Sequence, residues 1–146
     1  MKYYGYETFK EDTLSLLKKI GEFKATSIVC IARGGFTLSH AISEALDIRD
    51  VQTIRTELYD ASAKRKEITL FGSCSFKPGS RVLVLDDIAD SGETLMYVMN
   101  FLACEYKEIE FRSATLFYKK TSCYEPHYWV QEATEWIDFF WERDFK

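Results

Sequence analysis

Apolar residues follow helical and strand spacings in turn along the whole chain. Apolar positions three and four residues apart predict amphipathic helices at about residues 8–20, 38–46 and 92–104. Shorter apolar or alternating runs between them predict strands at residues 27–32, 51–57, 81–85 and 109–118. Strands that alternate with helices are typical of βαβ units. The pattern therefore predicts an α/β fold with a mainly parallel central sheet flanked by helices.

Turn and cap signals mark the ends of these elements. Thr8-Phe9-Lys10-Glu11 predicts a capping box at the start of the first helix. Lys77-Pro78-Gly79-Ser80 predicts a turn into the strand that starts at Arg81. Residues 59–66 are polar and lack periodicity, which predicts an exposed, mobile loop.

Composition narrows the class of protein. A chain of 146 residues is expected to form a single domain over residues 1–146. Its 47% apolar and 29% charged residues are typical of soluble globular proteins. A net charge of −4 without a basic stripe gives no case for nucleic-acid binding. Aromatic residues make up 16% and crowd the carboxyl-terminal part, which indicates an aromatic-lined site or an interface.

Cysteine spacing and hydropathy bear on metal binding and location. The four cysteines are widely spaced and only two histidines accompany them, so a zinc site is not indicated. The amino terminus lacks the apolar core of a signal peptide, and no apolar run is long enough to span a membrane. The expected location is the cytoplasm, with peripheral membrane association left open.

Residues 82–94 carry the most informative pattern in the chain. Four apolar residues precede Asp86 and Asp87, and a small, hydroxyl-rich turn then opens a helix. Open α/β sheets hold ligands where strands end and helices begin. Backbone N–H groups, hydroxyls and the helix dipole of the turn at residues 90–94 suit a phosphate. Ionised Asp86 and Asp87 accept hydrogen bonds only, which suits sugar hydroxyls or a magnesium shell.

These features together predict a site for a phosphorylated ribose. The structural alternative is a buried strand whose following helix is capped by Asp90 or Ser91. That alternative explains those two residues but leaves three acids within five positions unexplained.

The same stretch resembles the phosphoribosyl-pyrophosphate (PRPP) motif of type I phosphoribosyltransferases: an apolar strand, two acids, two variable residues and Asp-Ser-Gly-x-Thr. The resemblance implies that family's fold. It also implies that Asp90 accepts a proton from the base while Asp86 and Asp87 orient the ribose and stabilise its developing charge. The residues implied to bind the ribose and the 5′-phosphate are Asp86, Asp87, Ala89, Asp90, Ser91, Gly92, Glu93 and Thr94.

Two further segments extend the resemblance. Ala32-Arg33-Gly34-Gly35 is similar to the family's pyrophosphate loop, which implies a cis Ala32–Arg33 bond and pyrophosphate contacts from Arg33 and Gly34. Residues 58–67 occupy the place of the family's flexible hood, which closes over the reacting ribose and excludes water. Within that hood, Arg65 is the implied pyrophosphate contact.

The carboxyl-terminal segment, about residues 118–142, resembles the short bacterial xanthine–guanine enzymes of this family. By itself Lys119 reads as a solvated strand end, and Trp136 as a core aromatic. The resemblance implies instead that Lys119 donates to the purine 6-oxygen and N7 region and that Trp136 stacks on the base. It also implies that the Ile137 carbonyl reads the 2-position. Glu142 stands where the family commonly has a metal-linked aspartate, so Asp87 and Glu142 are the candidate metal ligands.

The resemblance implies transfer of ribose 5-phosphate from PRPP to N9 of a 6-oxopurine, with Mg²⁺ as cofactor and pyrophosphate as the leaving group. The base is xanthine, guanine or hypoxanthine, in an order that the sequence does not set. A homodimer or homotetramer is expected. Three alternatives stay open: an acceptor such as adenine or a pyrimidine, a non-catalytic regulator that senses PRPP, and a plain interaction domain.

Overall fold

The computed structural model describes the backbone of residues 1–62 and 65–146, and their side chains outside residues 60–66. The helices and strands in this part of the chain are β1 (Lys2–Tyr4), α1 (Tyr6–Ile20), β2 (Ser27–Ala32), α2 (Phe36–Leu46), β3 (Val51–Ser62), β4 (Arg65–Phe71), β5 (Arg81–Leu85), β6 (Ile88–Ala89), α3 (Glu93–Glu105), β7 (Glu110–Ala114), β8 (Phe117–Tyr118), β9 (Gln131–Glu132), β10 (Ile137–Phe139) and α4 (Phe140–Arg143).

A five-stranded sheet in the order β4-β3-β2-β5-β7 forms the centre of the fold. Strands β3, β2, β5 and β7 run parallel, and β4 pairs with β3 in the antiparallel direction. From β2 the chain moves outward to β3 on one side and returns to β5 on the other. The strand order therefore reverses between β2 and β5, which is where sheets of this kind form a ligand-binding crevice.

Both faces of the central sheet are buried, which explains its continuous apolar strands. Ile28, Leu83 and Leu85 project to the side covered by α1 and α2. Val29, Ile31 and Val84 project to the opposite side, where α3 supplies Leu95, Val98, Met99 and Leu102. The mainly parallel α/β architecture predicted from the sequence is confirmed.

Two smaller sheets stand beside the central one. Strands β6, β8 and β9 form a three-stranded parallel sheet. Strand β1 pairs in parallel with β10, so Lys2 lies opposite Ile137 and Tyr4 opposite Phe139. The amino-terminal residues are thereby joined to the carboxyl-terminal segment that the sequence assigns to base recognition.

The first helix begins earlier than predicted. The capping box at Thr8 is wrong, because α1 starts at Tyr6 and Gly5 is its N-cap residue without a side-chain cap bond. The Phe9 N–H donates to the Gly5 carbonyl at 3.0 Å, so Thr8 already lies inside the helix. The chain enters α1 directly from β1, which leaves no room for a separate capping turn.

The polar segment at residues 59–66 is not simply a loop. Strand β3 continues to Ser62 and β4 starts at Arg65. Cross-strand pairs such as Leu58 opposite Ile68 and Tyr59 opposite Glu67 hold the two arms together, and the Tyr59 hydroxyl donates to Glu67 at 2.8 Å. The predicted hood at residues 58–67 is therefore built largely from hairpin arms. Residues 63 and 64 and the Arg65 side chain lie outside the described part.

The last predicted strand, residues 109–118, is two strands in two sheets. It breaks after Ala114, because the N–H groups of Leu116 and Phe117 both donate to the Asp87 carbonyl at 3.1 Å. Apolar periodicity continues across the break and could not reveal it. In the described residues, no helix is long and apolar enough to cross a membrane.

Candidate active site

The turn between β6 and α3 is shaped to receive an anion. Gly92 precedes the helix with φ of +84°, and the first-turn N–H groups of α3 are not consumed by helix bonds. The Ser91 hydroxyl accepts a bond from the Glu93 N–H at 3.3 Å. Together with Thr94, this geometry presents donors and a positive dipole end to one point, as expected for a phosphate.

A second segment, residues 119–124, packs against this turn. The Cys123 N–H donates to the Ser91 carbonyl at 2.8 Å, and the Lys119 N–H donates to the Ala89 carbonyl at 3.0 Å. A Cβ atom on Gly92 would overlap the Ser122 hydroxyl and lie 2.8 Å from the Tyr124 nitrogen. Glycine is required at position 92 by its positive φ and by this close packing.

The two acids that follow β5 lie in the crevice at the strand-order reversal. Asp86 is partly exposed and Asp87 is only 7% exposed. The Asp87 N–H donates to Asp86 Oδ1 at 2.9 Å. A Cβ atom on Gly34 would lie 2.7 Å from both oxygens of the Asp87 carboxyl group. The turn after β2 thus needs a residue without a side chain so that Asp87 can occupy its place.

Burial changes the protonation of this pair. Desolvation raises the pKa of Asp86 well above its ordinary value, and the neighbouring Asp87 raises it further. Desolvation also raises the pKa of Asp87, to about 6, and the charge of Glu142 contributes. Without a bound cation or ligand donors, the crevice disfavours two ionised carboxylates side by side.

Two cavities meet at these acids. One, of about 300 Å³, is lined by the carboxyl ends of β2 and β5 and by residues 90–94, the turn before α3 that we call the phosphate turn. Its walls include Gly34, Asp86, Asp87, Asp90, Ser91, Gly92 and Thr94. The other, of about 340 Å³, is lined by Lys119, Trp136, Ile137, Phe139 and Glu142. Both include Asp87, Ile88 and Asp90 in their walls. A ligand in the first cavity would therefore touch a ligand in the second.

The second cavity suits a flat, polar aromatic group. Trp136 is 66% exposed and forms part of the wall, so it is not the core aromatic of the structural alternative. Lys119 Nζ lies 3.5 Å from Asp90 Oδ1, which places a cation and a carboxylate at the junction of the cavities.

The Ile137 backbone is available to a ligand. The Lys2 N–H donates to the Trp136 carbonyl at 2.8 Å, and Lys2 lies opposite Ile137 in the parallel pair. Successive peptide groups of a strand point to opposite edges. The Ile137 carbonyl therefore points away from β1.

Two of the residues predicted to contact pyrophosphate lie around a third cavity. Arg33 and Gly34 line a cavity of about 580 Å³ that also includes Glu142. The Ala32–Arg33 peptide bond is cis, as the resemblance implied. Arg65 is the remaining predicted pyrophosphate contact, and its side chain lies outside the described part.

Comparison with known proteins agrees with this geometry. The family model described as "Phosphoribosyl transferase domain" matches residues 13–145. The chain belongs to the phosphoribosyltransferase family. It is 30% identical over 125 residues to the xanthine-guanine phosphoribosyltransferase of Cereibacter sphaeroides, covering 80% of this chain and 68% of that protein.

Solved structures of the family have the same fold. The Helicobacter pylori xanthine-guanine-hypoxanthine phosphoribosyltransferase superposes with a TM-score of 0.92 at 35% identity, covering 99% of this chain and 95% of that one. A purine phosphoribosyltransferase from Pyrococcus horikoshii gives 0.84 at 28% identity, covering 96% and 92%. The type I phosphoribosyltransferase fold implied by the sequence is confirmed.

Sequence reasoning did not identify several residues that line the phosphoribosyltransferase site. Thr56 of β3 lines the sugar-phosphate cavity. Ala133, Thr134, Glu135 and Phe139 line the base cavity. Thr56 lies outside every motif, and the other four stand beside Trp136 and Ile137 in the segment that resembles the family but carry no chemistry that singles them out.

The acidic residues fit a magnesium ion shared with the substrate. Among the described residues, no three His, Cys, Asp or Glu side chains cluster as in an all-protein metal cage. Magnesium commonly takes one or two carboxylates and completes its shell with substrate phosphates and water. Asp87 and Glu142, which line one cavity together, match that pattern.

We expect Gly34→Ala to weaken PRPP binding. The new methyl group must displace the Asp87 carboxyl group, and overpacking of this kind costs about 1–3 kcal/mol, or about 5–150-fold in affinity. Gly21→Ala is the matched control, because nothing lies within 4 Å of its Cβ position and its φ is −55°. Titration calorimetry with PRPP and Mg²⁺ measures both, and equal affinities would contradict the packing argument.

We also expect the buried Asp87 to make the ligand-free protein less stable at higher pH. A carboxyl group whose pKa is raised on folding stabilises the protonated protein below its ordinary value of 3.8, and this contribution is lost as pH rises through about 6. Asp87→Asn should therefore raise the free energy of unfolding at pH 8 by about 1–3 kcal/mol, with little difference at pH 4.

Urea unfolding in EDTA at both pH values measures this effect. Asp47→Asn is the control, because Asp47 is exposed and its left-handed backbone also suits asparagine. A constant difference between wild type and Asp87→Asn at the two pH values would show that burial of this carboxyl group is not the cause.

Proposed function

We propose that this protein transfers ribose 5-phosphate from PRPP to N9 of a 6-oxopurine, giving the nucleoside 5′-monophosphate and pyrophosphate. The observation that carries the proposal is the meeting of two cavities at Asp87 and Asp90. One has the donors for a sugar phosphate, and the other has a cation and an exposed tryptophan for a base. The xanthine–guanine relatives and the family match support the same reaction.

The donor sugar occupies the first cavity. Backbone N–H groups and hydroxyls of residues 89–94 hold the 5′-phosphate, with Glu93 contributing its backbone only. Asp86 and Asp87 accept hydrogen bonds from the ribose hydroxyls. As the C1′–O bond to pyrophosphate breaks, these carboxylates stabilise the positive charge that develops on the ring. The N9–C1′ bond then forms on the opposite face, which inverts the anomeric carbon.

The purine occupies the second cavity. Trp136 stacks on its face, Lys119 donates to the 6-oxygen and N7 region, and the Ile137 carbonyl faces the 2-position. A cation at the 6-position suits a carbonyl and opposes the amino group of adenine, which supports a 6-oxopurine over adenine. Asp90, beside Lys119 at 3.5 Å, accepts the proton released from the base.

The pyrophosphate lies toward Arg33 and Gly34, with Arg65 as a further contact carried over from the sequence. Magnesium, held by Asp87 and Glu142 with substrate oxygens, would neutralise charge on the leaving pyrophosphate. The closely spaced acids in the crevice support a cation there, since they are ill suited to each other without one.

A homodimer or homotetramer remains part of the proposal. Apolar side chains at the surface support it. Exposed Leu58, Met96 and Tyr97 line one open groove between the hairpin and α3, together with half-buried Ile68 and Phe101. The cytoplasmic location remains a prediction from the sequence.

Pyrophosphate release with PRPP, Mg²⁺ and single free bases tests the function. We expect release with xanthine, guanine or hypoxanthine, and far less with adenine or uracil. Release with adenine or a pyrimidine alone would assign another acceptor. PRPP binding without release for any base would replace the enzyme with a sensor.

Lys119→Ala tests the assignment of the base cavity. Loss of a hydrogen bond to a charged group costs about 1.5–3 kcal/mol, so KM for the purine should rise about 10–100-fold while PRPP affinity is kept. Lys120→Ala is the matched control, because Lys120 is the adjacent lysine and pairs with exposed Glu132 at 3.5 Å. Equal purine kinetics in the two variants would refute the role of Lys119.

A further inference from the structure

The rim of the base cavity spans two separate sheets. Residues 134–136, which we call the rim, leave β9 at one end and enter β10 at the other. Strand β9 belongs to the sheet with β6 and β8, whereas β10 pairs with β1. Among the described residues, no strand pairing joins these two sheets. Backbone hydrogen bonds therefore leave the distance between the two ends of the rim undetermined.

A polar cluster that runs from buried Tyr4 and Asp12 to exposed Lys2 lies at the junction of the two sheets. The Tyr4 hydroxyl donates to Asp12 Oδ2 at 2.7 Å, and Gln131 Nε2 donates to the same oxygen at 2.6 Å. Lys2 Nζ donates to Gln131 Oε1 at 3.2 Å. We call these four residues the junction cluster. It connects β1, α1 and β9. Because β1 pairs with β10, the cluster links β9 at one end of the rim to the pairing partner of the strand at the other end.

Apolar residues at the buried positions of this cluster would pack at least as well as the polar ones. Asp12 is only 9% exposed and lies on the apolar face of α1, and Tyr4 is fully buried. A buried carboxylate pays a desolvation penalty, and an apolar residue of similar size is often at least as stable. Buried polar groups do, however, specify one geometry, because their hydrogen bonds are directional.

The cluster also supports the cavity wall through Tyr4. The Tyr4 ring contacts Phe117 of β8 and Phe139 of β10 edge-on, at centroid distances of 5.0 and 5.6 Å. Phe139 lines the base cavity itself. One side chain therefore touches both sheets with its ring while its hydroxyl is held by Asp12.

We propose that the junction cluster positions the base-binding rim: Tyr4, Asp12 and Gln131 fix the spacing between β9 and β10, and so the placement of Trp136 and the Ile137 carbonyl against the purine. These are positioning residues that do not touch the substrate. The proposal rests on the proposed function and assigns to it a determinant of purine affinity and of selection at the 2-position, built from residues that do not line the sugar-phosphate cavity.

Tyr4→Phe is the sharpest test, because it removes one hydroxyl and keeps the ring packing. We expect KM for guanine to rise about fivefold or more, with KM for PRPP changed less than about twofold. The ratio of kcat/KM for guanine to that for hypoxanthine should also change, since these bases differ only at the 2-position. Tyr3→Phe is the matched control, because the Tyr3 hydroxyl of the same strand donates to exposed Asp144 at 2.9 Å.

Gln131→Met provides a second variant of similar volume, and the double variant with Tyr4→Phe tests whether the two act as a unit. Effects on purine KM that are much smaller than the sum would show coupling through Asp12. Circular dichroism and thermal unfolding establish that each variant is folded at the assay temperature.

The outcomes separate the two proposals. If wild type releases no pyrophosphate with any purine, the proposed function fails. If wild type is active and Tyr4→Phe matches Tyr3→Phe in purine KM and in the guanine to hypoxanthine ratio, the positioning role fails. A lower kcat for every purine with both KM values unchanged would show a loss of folded protein only, and would also overturn the positioning role.

Discussion

The close approach of the Asp87 carboxyl group to Gly34 is the constraint on which the site depends. It joins the end of β5 to the turn after β2, at the place where the strand order of the central sheet reverses. The Asp87 carbonyl accepts the N–H groups of Leu116 and Phe117, so the same residue also ends β7 and starts the smaller sheet. One residue thus places the sugar-phosphate crevice, and the sheet that supports base recognition is built onto its backbone.

The paired acids suit the proposed reaction, but their burial disfavours ionisation in the ligand-free protein. Burial raises the pKa of both Asp86 and Asp87, which means that the crevice resists full ionisation when no cation or sugar is bound. In the proposed reaction, acids held ready in the crevice are useful because they can stabilise the positive charge of the ribose once substrate and cation favour their ionised form. Folding therefore places the two acids side by side before the substrate binds.

Local signals were sufficient for the central fold and for the family motif, and insufficient for the smaller sheets. Strand β2 was predicted at its observed bounds, and the PRPP motif lies in one continuous segment that contains β5, the short strand β6, a turn and the start of α3. The β3–β4 hairpin was missed because its polar sequence gains its stability from cross-strand pairs. Strand β1 was missed because its partner, β10, lies at the other end of the chain. The base cavity could be assigned only from the family resemblance. Asp12 stands on the apolar face of the first helix, three residues after Phe9 and four before Leu16, but its partners Tyr4 and Gln131 are brought to it by the fold.

The packing of residues 119–124 against Gly92 has a consequence for how new specificities can arise in this scaffold. Any change in that segment is transmitted to the phosphate turn, because Ser122 and Tyr124 fill the space beside the glycine and Cys123 bonds to Ser91. Residues 134–136 line the base cavity and are absent from the lining of the sugar-phosphate cavity. Mutational drift and directed evolution toward other nucleobases are therefore least constrained at residues 134–136, where acceptor preference can diverge while the phosphate-binding apparatus stays intact.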